Sequence, residues 1–152
     1  MIPLTYRKAV VESASPIGLV ILLHDTLVGD IQRAIEAMKA SDIEKRCQQL
    51  NHGFQVLQQL EGGLNMKDGG ETAKNLSRLY RHIRAKLLEA QFEQSVEILT
   101  KQIALILDMR EAWQTADAAI GKARDTEPSV ERPTVPVYGV RLEDQAVSRW
   151  TI

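Results

Sequence analysis

Residues 15–44 read SPIGLVILLHDTLVGDIQRAIEAMKASDIE, and this stretch decides the fold. Ser15 is a good helix N-cap, and Pro16 suits the first helical turn, where its missing N–H costs nothing. Apolar residues then recur at Ile17, Val20, Ile21, Leu27, Val28, Ile31, Ile35 and Met38. The stripe has helical spacing and is wide, so the helix is expected to be central. Ser41-Asp42-Ile43-Glu44 has the S-x-x-E form of a capping box and announces a second helix.

Proline placement carries the reading outward. The five prolines are Pro3, Pro16, Pro128, Pro133 and Pro136, and none falls between 17 and 127. An interior proline costs a helix about 3 kcal/mol, so so long a gap suits long helices. The second stripe is Ile43, Cys47, Leu50, Phe54, Leu57 and Leu60, ended by Gly62-Gly63. A third helix is expected from about 71 to 90 on Ala73, Leu76, Leu79, Tyr80, Ile83 and Leu87, after the loop closed by Asp68-Gly69-Gly70. A break near 91–93 leads to a fourth, with Val96, Leu99, Ile103, Ile106, Met109 and Trp113, fading over 117–121. Short connections between helices of matched length favour antiparallel neighbours. The expected fold is all-α: an antiparallel four-helix bundle over 15–120, preceded by an N-terminal segment at 1–14. Over 121–152 we expect a proline-rich linker and an irregular tail, whose apolar part at 137–150 has the means to dock on the bundle or on a neighbouring molecule.

Composition excludes several classes of function. The chain has 152 residues, 44% of them apolar and 26% charged, enough for one domain with a useful core. Nineteen basic residues balance twenty acidic ones, so there is no general pull toward nucleic acid. No apolar run approaches the roughly 20 residues of a bilayer span, so no stable membrane insertion is expected. With no secretory signal visible in MIPLTYRKAVVE, the protein reads as cytoplasmic. One cysteine, Cys47, allows no intramolecular disulfide and no multi-cysteine zinc site, and its place on the second stripe marks it as a small core hydrophobe.

No catalytic constellation emerges. His24, His52 and His82 fall on three different helices, and none follows a glutamate by three residues, so the Glu-x-x-His pattern of di-iron bundles is absent. His24 and Asp25 are helix neighbours pointing about 100° apart, a poor base and orienter, so His24 reads as a packed helix histidine. No phosphate-binding loop is present, and no cofactor or metal is expected. The basic run Lys74, Arg78, Arg81, His82, Arg84 and Lys86 on the third helix reads as a solvated face, with a protein-facing electrostatic surface as the alternative.

A set of segments carries a resemblance. These are Tyr6 in the N-terminal segment, SASP at 13–16 opening a helix that continues ILLHDTL at 21–27, and Leu64-Asn65 before KDGGETAKNLSRLY at 67–80. LLEA at 87–90 and REAW at 110–113 complete it. Together they resemble the flagellin export chaperone family (FliS type) over about residues 1–116. His24 replaces an aromatic residue, Arg81 an acidic one and Gln91 an asparagine expected there, and the tail beyond Ala116 has no counterpart. The resemblance implies a four-helix bundle whose N-terminal segment lies over a hydrophobic surface. It further implies a client, the C-terminal segment of flagellin, that wraps around the chaperone and gains helical structure, and a second partner, the flagellar export gate protein. Expected partner-binding residues are Tyr6, Ile43, Leu50, Leu57, Leu76, Tyr80, Ile83, Leu87 and Ala90. The alternative is a helical-bundle adaptor or regulator of flagellar assembly with a different partner. A weak homo-oligomer is compatible with either.

Overall fold

The computed structural model describes residues 16–126, with side chains described to residue 121. Among these residues lie four helices: α1 (Pro16–Lys39), α2 (Ile43–Gly62), α3 (Gly70–Glu93) and α4 (Val96–Thr126). Each packs mainly on two neighbours, in the cyclic order α1–α2–α3–α4–α1. Cross-helix pairs show the chain reversal between α1 and α2: Arg33 meets Gln49, Asp30 meets His52, and Leu27 faces Gly53. The same reversal relates α2 to α3 through Glu61 with Arg84 and Cys47 with Gln91. The expected all-α four-helix bundle is the observed one.

Helix α1 is the central element. Eleven of its 24 residues are buried, against five of the 24 in α3. Its backbone runs close to α2 and α4 over long stretches, whereas α2 and α3 approach over the shortest. Small residues explain the first seam. A Cβ placed on Gly53 would sit 3.4 Å from Leu27 Cδ1, so the missing side chain lets α2 settle on α1. Tyr80, Ile83 and Leu87 fill the space around α3 instead, and bulky side chains set helix axes further apart.

The reversals depart from the sequence reading. Asp42, not Ser41, caps α2: its carboxylate accepts from the Lys45 N–H at 3.0 Å. Ser41 is the left-handed residue that closes α1, with φ 56°. Its N–H donates to the Met38 carbonyl and that of Asp42 to the Ala37 carbonyl, a Schellman closure. Gln94 does the same after α3, with φ 55° and the Ser95 N–H on the Ala90 carbonyl. Ser95 then caps α4 by accepting from the Ile98 N–H at 3.2 Å. The break therefore falls at 94–95, three residues later than the spacing indicated, because the αL turn needs only one residue. Gly63 ends α2 in ordinary right-handed geometry, and among the described residues Gly70 is the glycine with positive φ. Helix α4 does not stop near Gly121 but runs to Thr126, since no proline intervenes before 128. The expected Ser15 cap, the 1–14 segment and the tail beyond Thr126 lie outside the described residues.

Neither Ser41 nor Gln94 suits a left-handed backbone. Replacing either with glycine is expected to stabilise the fold by about 0.5–1 kcal/mol, the relief of αL strain less the extra freedom of glycine in the unfolded chain. Urea unfolding midpoints of Ser41→Gly and Gln94→Gly check this; a lower midpoint for both contradicts it.

Candidate functional site

The motif residues meet at one level of the bundle. His24 and Asp25 come from ILLHDTL, Tyr80 from NLSRLY and Arg110 from REAW. His24 is fully buried, and its Nδ1–H donates to the Val20 carbonyl at 2.7 Å. Its Nε2 faces the Tyr80 hydroxyl at 3.5 Å, long for a hydrogen bond, with ring centroids 6.0 Å apart and tilted by 52°. Tyr80 is itself fully buried. His24 thus holds the position of a core ring, as its place on the helix indicated. Burial pushes its imidazole below the usual histidine range. Arg110 adds to that push, while the Val20 carbonyl and Asp25 oppose it. Asp25 points outward and forms a two-pronged pair with Arg110 of α4: Nε with Oδ1, and the terminal nitrogen with Oδ2 at 3.2 Å.

A second polar group ties α1 to α2. Asp30 is almost wholly buried, and its two oxygens meet the Arg33 guanidinium at 2.7 Å and His52 Nδ1 at 2.6 Å. Arg33 Nε also donates to Gln49 Oε1 at 2.8 Å. A buried carboxylate requires such partners. Histidine and acid here make a structural clamp, and the described residues hold no group of three His, Cys, Asp or Glu placed to share a metal. Cys47 is only half-buried, not the full core residue its stripe indicated, and faces the Gln91 amide nitrogen at 3.6 Å in the α2–α3 seam.

The expected partner-binding residues separate into four groups. Leu50, Leu57, Tyr80, Ile83, Leu87 and Ala90 are fully buried members of the central core and present no open surface. Leu76 packs on that core and is partly exposed. Ile43 stands 62% exposed at the start of α2. Tyr6 lies outside the described residues. The core placements correct the expectation that these six line an outward groove: helical spacing finds the inward face, and groove walls come from residues off that stripe. Met66, Leu88, Phe92 and Leu107 are exposed apolar residues off the core stripes, which the sequence reading missed. Leu88 and Phe92 fall four apart on α3, opposite its core stripe, and that second periodicity was the available signal. The basic run is mostly exposed, as expected of a solvated face; Arg84, directed at Glu61 of α2 with nitrogens at 3.0 and 3.2 Å, is its cross-helix member.

A bundle joined by these motif residues matches a known family. The family model for "Flagellar protein FliS" matches residues 3–120. The chain belongs to the FliS family. The flagellar secretion chaperone FliS of Vibrio cholerae is 30% identical over 115 residues, covering 71% of this chain and 82% of that protein. That of Salmonella typhimurium is 29% identical over 108 residues, covering 70% and 80%. FliSB of Pseudomonas aeruginosa, also called a flagellar secretion chaperone, is 29% identical over 106 residues, covering 70% and 84%. Membership in FliS supports a flagellar export chaperone role. No helix among the described residues is long and apolar enough to cross a membrane.

The buried histidine makes stability depend on pH with a definite sign. Its folded pKa lies below the ordinary value of 6.5, so the unfolded chain takes up the proton more readily. The full contribution is present above 6.5 and is lost as pH falls through that value toward the folded one. Between about pH 7.5 and 5.5, the melting temperature of the native chain should fall further than that of His24→Phe. Equal slopes would show that His24 is not the titrating group.

Proposed function

We propose that this FliS protein is a cytoplasmic export chaperone. In this reading it binds the C-terminal segment of flagellin, prevents its premature polymerisation and presents it to the flagellar export gate protein. The observation that carries the reading is the α2–α3 seam. It is the seam where neighbouring backbones approach least, and it is spanned by a seven-residue connection (63–69); Ile43 stands exposed at the start of α2 and Leu76 is partly exposed on α3. A disordered amphipathic segment can lay its apolar face into such a groove and become helical there. Ordering the client consumes several kcal/mol of the gain, which keeps the complex specific but releasable.

In this proposal Ile43 and Leu76 touch the client. Leu50, Leu57, Tyr80, Ile83, Leu87 and Ala90 form the floor beneath it and fix the spacing of the walls. Tyr6 covers part of the groove in the free protein and yields to the client.

Calorimetric titration of the full chain with a peptide carrying the C-terminal segment of flagellin tests the reading. Ile43→Asp is expected to weaken binding by about tenfold or more without lowering the melting temperature, because Ile43 is already in water. Leu57→Ala and Leu87→Ala are expected to cost about 2–5 kcal/mol of stability, as core truncations do. Tyr6→Ala should change client affinity or free-state stability. Absence of binding by the native chain overturns the client assignment and favours an adaptor with another partner.

A further inference from the structure

The solvent face of α3 carries a pattern that neither the core nor the client groove uses. Lys74, Arg78, Arg81, Ala85, Leu88 and Phe92 succeed one another in alternating steps of four and three residues, and all six are exposed. This is the a/d spacing of a coiled-coil seam, pointing away from the bundle. At 1.5 Å per residue it runs about 27 Å along the helix. Its N-terminal half is cationic and its C-terminal half apolar, with Leu88 55% and Phe92 91% exposed.

The cations are not consumed by the fold. Lys74 reaches Glu71 one turn away at 3.5 Å and Arg78 reaches Asn75 at 3.4 Å, both in contacts open to water. Water competes for such exposed pairs, so they hold the side chains only weakly.

Charge selects the occupant. A helix with apolar residues at heptad positions in one half and carboxylates at the same positions in the other would satisfy both halves at once. A second copy of α3 would not: laid parallel, it sets cation on cation, and laid antiparallel, it sets Leu88 and Phe92 on Arg78 and Lys74. We propose that the outward ridge of α3 docks an amphipathic helix of a partner protein, with apolar anchors on Ala85, Leu88 and Phe92 and acidic residues on Lys74, Arg78 and Arg81. The site goes beyond the flagellin groove and does not depend on which client fills that groove.

The test uses the full chain and two labelled synthetic helical peptides, read by fluorescence anisotropy. Both carry leucine at the heptad positions of one half; the other half carries glutamate in one peptide and lysine in the other. The glutamate peptide is expected to bind about tenfold tighter or more, with the preference shrinking as salt is added. Arg78→Glu with Arg81→Glu should reverse that preference, and Phe92→Ser should weaken both peptides, with melting temperatures unchanged. Equal binding by the two peptides, or binding that survives both variants, overturns the proposal. So does sedimentation showing a dimer that Phe92→Ser converts to monomer, which makes a second copy the occupant. A gain in peptide affinity on Trp150→Ser alone also overturns it, because the chain's own C-terminal segment would then be the occupant.

Discussion

Helix α1 cannot stand in water. Its buried positions wrap well beyond a single stripe, and they include a histidine and an aspartate that must find partners in the interior. It therefore needs cover from more than one side, and the order of the other helices follows from providing it. Helix α2 folds straight back onto it through a three-residue reversal and closes over Leu27 where Gly53 leaves room. Helix α4 returns along the opposite flank and is fastened by Arg110 on Asp25. Helix α3 completes the ring with Tyr80 reaching across to His24.

This dependence explains what the sequence could reveal. The wide stripe of α1, the proline-free interval and the glycine clusters are local signals, and they were enough for four helices in antiparallel order. Helix ends were harder. Ser41 and Gln94 adopt left-handed geometry that side-chain chemistry alone does not favour, so the α2 cap moved to Asp42 and the break before α4 moved to 94–95. Cys47 sits on the edge of its stripe, and one helical step separates a core position from a seam position. The partner-binding surface was the least legible. Hydrophobic spacing reports what a helix buries within its own molecule, and Leu50, Leu57, Ile83 and Leu87 obeyed it. Apolar residues meant for another molecule sit among polar ones, as Leu88 and Phe92 do, and carry no stripe of their own toward the core.

The motif residues that mark the family join helices to one another, His24 and Tyr80 inside the core and Asp25 and Arg110 at its surface. His24, Asp25, Tyr80 and Arg110 join three helices at one level, and the departure at position 24 keeps a flat ring in a space that a larger aromatic would fill. A family of binding proteins can be recognised by its internal joints because those joints set the separation of the helices, and that separation sets what can lie between them.

The polar fastenings are unevenly distributed. The α1–α2 seam has the Asp30 clamp, whose carboxylate is nearly buried, whereas the Asp25–Arg110 pair of α1–α4 and the Glu61–Arg84 pair of α2–α3 are both partly open to water. Apolar contacts slide at little cost, while buried polar geometry resists displacement. Of the seams around α1, the one with α2 is thus the one whose register a nearly buried polar group pins, while the others are held by apolar contacts and by pairs that water can compete for.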